Sequence, residues 1–358
     1  MAFFRAKDTI EEGDLVVVCL SRDNMVPITV NASVVYNNKF GNFAHANMIG
    51  MQYGSKMYSH NGRGYVHLLF PTPELWTLIV PHRTQILYLP DISFISAYLD
   101  LVPGRRVLEC GTGSGSFSHS IARSIAPNGH LYSFEYHEKR YEIAKAEFEQ
   151  HGIADLITLQ HRDVLKDGFA LSNAVQAVFL DLPAPWDAIA SAKEAFDRLE
   201  VGRLCSFSPC IEQVQRTCQA LADHGFTDIR MFEVLIRDHD LRSMPHPTIQ
   251  SAIARHRSQI EAKALAQQQR AASAPQANGH TEPTTNTGEE TKKRKATDAL
   301  AETTTPDGHD LSLRPLTDAE LHYTLMTKTE EECRGHTSYL TFATLIPAAD
   351  TSPSMMAV

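Results

Sequence analysis

Residues 106–116 read Arg106-Val107-Leu108-Glu109-Cys110-Gly111-Thr112-Gly113-Ser114-Gly115-Ser116, and this stretch decides the fold. Its first five residues form a short apolar run bounded by turn residues, which predicts a buried strand. Three glycines at alternate positions follow, so the backbone can turn tightly and present the amides of a helix from about Phe117 to a ligand. The third glycine falls four residues after the first, where a dinucleotide fingerprint needs five. No His or Lys constellation for hydride transfer accompanies it, so a nicotinamide dehydrogenase is disfavoured.

Outward from this loop the pattern alternates between strand and helix. Strands are predicted at Arg106 to Cys110, His130 to Glu135, Ile157 to His161, Ala177 to Asp181 and Gly202 to Ser206. Such alternation builds a parallel sheet covered by helices on both faces. Two later runs, Asp228 to Leu235 and Ser338 to Thr344, have strand composition with no ordered crossover between them, which predicts a closing antiparallel hairpin. The fold class is therefore α/β, and five parallel strands closed by such a hairpin resemble the Rossmann-like methyltransferase sheet.

The predicted strand ends carry acids. Glu109 stands ahead of the first glycine, Glu135 ends the second strand where a carboxylate accepts ribose hydroxyls, and Asp163 follows the third, within reach of an adenine amino group. One such acid would more often cap a helix; three in succession make a nucleoside crevice. The fourth strand delivers Asp181-Leu182-Pro183-Ala184-Pro185-Trp186, a carboxylate in a proline-stiffened loop suited to a flat base. Asp181 is the candidate catalytic residue, with Tyr88 and Trp186 as candidates to stack on the base.

The first 80 residues are rich in short β runs, at Asp14 to Leu20, Met25 to Val30, Ser33 to Tyr36 and Tyr65 to Phe70, which predict a small barrel or sandwich without a basic stripe. The methyltransferase-type domain is expected over 81–244 and 334–350. Between its last two strands, 245–333 is an insertion: Ile249 to Ala272 reads as a helix, and Ser273 to Pro306 as disordered, with a basic run at Lys292 to Lys295. That run suits a nuclear import signal or an RNA contact.

The chain of 358 residues has a net charge of −9, and residues 81–250 hold 16 Lys or Arg against 22 Asp or Glu. That balance is a poor footprint for gripping a polyanion unaided. The six cysteines show no Cys-x-x-Cys pair and no metal-ligand spacing, and read as reduced thiols. No apolar run is long enough to predict a membrane span.

Several motifs carry a resemblance. Pro71 to Trp76, Pro81 to Tyr88, the Glu109 to Gly115 loop, Asp181 to Trp186, Phe207 to Gln215 and Gly335 to Leu340 are similar to the catalytic subunits of the tRNA (adenine-58-N1) methyltransferase family. The resemblance covers about 1–243 and 334–346, and the insertion departs from it. It implies S-adenosyl-L-methionine as cofactor, held by Gln85, Leu87, Gly111, Gly113, Ser114, Gly115, Ser116, Glu135, Arg140, Asp163, Val164 and Asp181. It also implies tRNA as substrate and a non-catalytic partner subunit in a two-plus-two heterotetramer; the basic run at Lys292 to Lys295, read as an import signal, points to the nucleus. Two other readings stay open at this point: methylation of an exocyclic base amine, although Leu182 and Ala184 interrupt that loop pattern, and a non-catalytic RNA-binding scaffold.

Overall fold

A computed structural model describes residues 7–21, 24–236, 239–272, 317–329 and 338–347. The chain begins with β1 (Leu15–Ser21), β2 (Asn24–Thr29), β3 (Val35–Asn38), β4 (Gly41–Ala44), β5 (Lys56–Tyr58) and β6 (Tyr65–Leu69). Four of these form an antiparallel sheet in the order β2-β1-β6-β5, and β3 pairs with β4 as a separate hairpin. Phe43 of that hairpin shares one apolar cluster with Val16, Val18, Met57, Val66 and Leu68 of the sheet. The hairpin and sheet thus pack as two layers. Strand β5 was not expected: Lys56-Met57-Tyr58 is too short and too polar to register as a β run.

Helix α1 (Pro73–Ile79) starts where Thr72 Oγ1 accepts the Leu75 amide at 3.3 Å, with Pro73 at a position where its missing donor costs nothing. There follow α2 (Leu89–Tyr98), β7 (Arg106–Cys110), α3 (Ser116–Ile125), β8 (His130–Glu135), α4 (Glu138–Gln150), β9 (Ile157–His161), α5 (Val164–Asp167), β10 (Ala177–Leu180), α6 (Pro185–Ala195), β11 (Gly202–Ser208), α7 (Ile211–Asp223) and β12 (Thr227–Phe232). After β13 (His239–Pro247), α8 (Ile249–Ala272) and β14 (Leu321–Thr329), the chain returns as β15 (Tyr339–Leu345). The seven-stranded sheet has the order β12-β15-β11-β10-β7-β8-β9. Its five central and outer strands β7 to β11 run parallel, whereas β15 is antiparallel to both β11 and β12, as the expected closing hairpin requires.

Alternation along the central strands divides their side chains between two cores. Val107, Ala177 and Phe179 join Phe117, Ile121 and Ile95 on one face. Leu108, Val178 and Leu180 join Ile189, Ala192 and Leu221 on the other. Burial on both faces is what makes these strands near-continuous apolar runs, and at roughly 1.5–3 kcal/mol per large side chain it anchors the frame that carries the loops.

The first compact unit holds both the N-terminal strands and this sheet (Met1–Ile236 with Arg334–Val358), and Arg237–Cys333 forms a second. In the second unit, β13 and β14 pair antiparallel from His239↔Thr329 to Pro247↔Leu321. The sequence reading missed this ribbon and began the insertion at residue 245, inside β13. The reason is local: His-Asp-Leu-Arg-Ser-Met-Pro-His-Pro holds no β-branched residue and has two prolines, which only a strand with a free edge tolerates. Helix α8 matches the expected helix. The expected disordered stretch 273–306 and the basic run 292–295 lie outside the described residues.

Candidate active site

The register of the parallel strands brings three loops together. Cys110 at the end of β7 lies level with Leu180 of β10, and Asp181 N donates to Cys110 O at 2.9 Å. Gly111 has φ +97°, and a Cβ placed on it would stand 2.4 Å from the Asp181 carbonyl oxygen. Only glycine fits there. Gly113, at φ +55°, donates its amide to Glu135 Oε2 at 2.9 Å, and a Cβ on it would meet Thr84 Oγ1 at 2.7 Å.

That last contact shows how the segment before α2 joins the site. Ser114 Oγ accepts the Arg83 amide at 3.0 Å, and Ser116 Oγ lies 2.8 Å from Thr77 Oγ1 of α1. The half-buried Arg83 guanidinium in turn makes a bidentate pair with Glu147 of α4, at 2.6 and 2.9 Å. Two serines of the glycine loop and one ion pair therefore hold residues 83–87 over the ends of the strands. The resulting cleft, open to solvent on one side, is lined by residues 84–87, Glu109, 111–114, Ser116, Phe117, Phe179 and Asp181.

The structure thus brings Gln85, Leu87, Gly111, Gly113, Ser114, Ser116 and Asp181 into one lining. Glu135 stands behind the loop, 2% exposed, where its Oε1 accepts from Arg140 Nη2 and Nε at 2.8 and 3.0 Å and from the His137 amide at 2.8 Å. Arg140 orients Glu135. Gly115 is the left-handed residue ahead of α3. Asp163 occupies the N-cap position of α5 without making a side-chain cap bond, which counts against the helix-cap reading of this acid. Val164 is buried in the second core. Tyr88 and Trp186 are outside the lining: Tyr88 is 47% exposed ahead of α2, and the Arg216 guanidinium lies over the Trp186 ring, 5.1 Å from its centroid.

Negative charge is concentrated here. Glu109 is fully enclosed, and burial pushes its carboxyl up to about 7 even though the Ser118 and Ser133 hydroxyls donate to its Oε2 at 2.6 and 2.7 Å. Burial, reinforced by Glu135, likewise raises Asp181 to about 7. Three acids crowded into one crevice favour a cationic guest, because a positive charge relieves the cost of ionising them.

Sequence reasoning missed the support beneath the loop. His119 Nδ1 lies 2.6 Å from the Gly115 carbonyl, which can only accept, so His119 Nε2 is left to accept from His151 Nδ1 at 2.8 Å. Burial holds both rings neutral, at about 3 and about 4. It also missed Gln213, whose Nε2 donates to Pro183 O at 3.0 Å while its Oε1 accepts the Cys210 amide at 3.1 Å. This side chain clamps the Asp181 to Trp186 loop to the start of α7. The only sequence signal for it was its place within the Phe207 to Gln215 motif.

Comparison with known proteins gives the family and the fold. Residues 64–345 match the family described as tRNA methyltransferase complex GCD14 subunit. The chain is 43% identical to the tRNA (adenine(58)-N(1))-methyltransferase catalytic subunit TRM61 of Cryptococcus neoformans, covering 96% of this chain and 83% of that protein. It is 41% identical to the Candida albicans protein of the same name, over 97% and 99% of the two chains. Among solved structures, the tRNA (m1A58) methyltransferase TrmI of Aquifex aeolicus superposes with a TM-score of 0.59 at 17% identity, over 94% and 98% of the chains. An S-adenosylmethionine-dependent O-methyltransferase from Thermotoga maritima does so at 0.65 and 20%, over 96% and 97%. The fold is that of the S-adenosylmethionine-dependent methyltransferases, and the chain belongs to the family of GCD14 subunits of the tRNA methyltransferase complex.

Proposed function

We propose that this chain is the catalytic subunit that transfers a methyl group from S-adenosylmethionine to N1 of adenine 58 in the tRNA T-loop. The observation that carries the reading is Asp181, set at the rim of a glycine-walled, acid-rich cavity in a chain of this family. The residues suit the cofactor: side chains at 111 and 113 would fill the cradle, and Glu109, Glu135 and Asp181 complement a cation.

When bound, S-adenosylmethionine supplies an electrophilic methyl on positively charged sulfur. The chain's own part is positioning and electrostatics, since N1 of adenine is itself the nucleophile and no side chain has to become one. Gln85, Leu87 and the loop from Gly111 to Ser116 fix the donor, Glu135 and Asp163 its nucleoside, and Asp181 accepts a hydrogen from the adenine amino group. Ionised Asp181 also balances the positive charge that moves onto the base. The target must leave its tertiary pair to reach Asp181, with Tyr88 or Trp186 as the stacking partner.

For Glu135→Ala we expect cofactor affinity to fall by about tenfold or more, with little change in kcat at saturating cofactor, because ribose bonds form in the ground state as well. Calorimetric titration with S-adenosylmethionine reads this directly; an unchanged Kd removes Glu135 from the site.

We also infer a two-plus-two assembly with a non-catalytic partner and a nuclear location: the stoichiometry from the family resemblance, the need for a partner from the acidic balance of 81–250, and the location from Lys292 to Lys295. The purified chain should bind the methyl donor but methylate tRNA poorly, and the partner should restore both RNA affinity and turnover. Mixing chain, partner, unmodified tRNA and labelled donor tests this, with reverse-transcription arrest mapping the modified atom. Full turnover by the chain alone at physiological salt would overturn the partner requirement, and a methyl that does not block pairing would overturn the N1 assignment.

A further inference from the structure

Fifty consecutive residues, Asn24 to Pro73, contain no Asp or Glu, in a chain with 42 of them. The same span carries Lys39, Lys56 and Arg63 with His45, His60 and His67. These cations form no stripe in the sequence, but strand pairing gathers several of them. In the β5–β6 hairpin, Lys56 lies opposite His67 and Tyr58 opposite Tyr65, whereas Met57 and Val66 between them point into the apolar cluster. Alternation therefore places Lys56, Tyr58, Tyr65 and His67 on the outer face. Lys56 Nζ sits 4.5 Å from the centre of the Tyr65 ring, and the two tyrosines pack edge to face at 6.0 Å.

The connecting turn adds exposed His60 and Arg63. It also touches the turn of the β3–β4 hairpin, since a Cβ on Gly64 would meet Phe40 Cβ at 2.5 Å. Lys39 Nζ lies 5.1 Å from the centre of the Phe40 ring, so this second turn brings another cation to the same tip. Among the described residues, none of Lys39, Lys56 and Arg63 is in an ion pair.

A cross-strand tyrosine pair and a cation over a ring contribute to hairpin stability. They do so without needing Tyr58 to stay 62% and Tyr65 44% exposed, or 50 residues to be free of acids. Unpaired cations interleaved with open aromatic faces are what a nucleic-acid strand requires: phosphates meet the Lys and Arg, and unstacked bases meet the rings. We propose that the outer face of the β5–β6 hairpin, with the Lys39 turn beside it, is an RNA-contacting surface. It grips the substrate away from the acidic crevice, and it rests on the reading of RNA as the substrate.

The test uses the assembled complex of this chain with its partner and an unmodified tRNA transcript, with binding measured by anisotropy over a range of salt concentrations. The double variant Lys56→Gln with Arg63→Gln should lower the slope of log K against log salt by about two. Tyr58→Ala with Tyr65→Ala should weaken tRNA binding by about tenfold or more. Lys56→Arg should bind as wild type does. In every variant the Kd for S-adenosylmethionine and the elution volume of the complex should be unchanged.

Wild-type affinity and slope in both double variants would overturn the proposal. So would loss of subunit assembly with RNA binding intact in the assembled fraction, which would make this face a protein interface. Because binding is read without methyl transfer, a wild-type complex that binds tRNA through this face yet leaves N1 unmodified would refute the functional reading and leave the surface standing.

Discussion

Asp181→Ala is expected to lower kcat by about 10²–10³-fold, the usual cost of losing one preorganised electrostatic group at a reacting atom. The Kd for S-adenosylmethionine should change much less. The argument is positional: the side chain sits at the cavity wall, while its backbone amide, which donates to Cys110 O and ties the β7 and β10 loops together, is untouched by the change. Single-turnover methylation at saturating donor and tRNA measures it, and a rate near wild type would leave Asp181 without its role.

The pH dependence follows from the same carboxyl. With Asp181 raised to about 7 by burial and by Glu135, the ligand-free site must lose a proton to become an acceptor, so kcat/KM should rise as pH increases toward 7. Glu109 titrates in the same range, so this acid limb belongs to the pair, and Asp181→Asn should shift it without abolishing it.

Stability runs the other way. A carboxyl whose folded value lies above its ordinary 3.8 binds more protons folded than unfolded. Its contribution therefore falls as pH rises from about 4 through 7. In the absence of cofactor, Asp181→Asn should consequently raise Tm at pH 8, the opposite of what removing a structural acid would do.

What the sequence revealed was governed by distance along the chain. The central strands were legible because burial on both faces makes each of Leu108, Val178 and Leu180 apolar irrespective of its partners. Asp181, Glu135 and the glycines were legible because each stands at the end of its own strand. The support between elements was not: Arg83 meets Glu147 across 64 residues, and His119 meets His151 across 32, with no local pattern to announce either pair. Gly115 was read for its conformational freedom, while the buried imidazole that fixes its carbonyl was invisible until α3 and α4 were packed. The β13–β14 ribbon escaped for the opposite reason, because its two strands pair only with each other and need no apolar alternation to do so.

Gly111→Ala should disable the site with a single added methyl. At φ +97° an alanine carries backbone strain of roughly 1 kcal/mol or more, and its Cβ would stand 2.4 Å from the Asp181 carbonyl oxygen and 3.2 Å from the Asp181 Cβ. Backbone cannot swing aside as a side-chain tip can, so the β7 and β10 loops must separate. That movement displaces the proposed cofactor cradle and the Asp181 carboxylate together. Binding of S-adenosylmethionine should fall at least about 100-fold and methyl transfer should drop below detection, while far-ultraviolet circular dichroism retains the sheet, whose two cores lie below the loop. Gly50→Ala separates strain from collision: its φ is +84°, but nothing lies within 4 Å of the added methyl. That variant should lose a few degrees of Tm and bind the donor normally. Equal loss of donor binding in both variants would show that backbone strain, and not the contact with Asp181, makes glycine necessary at 111.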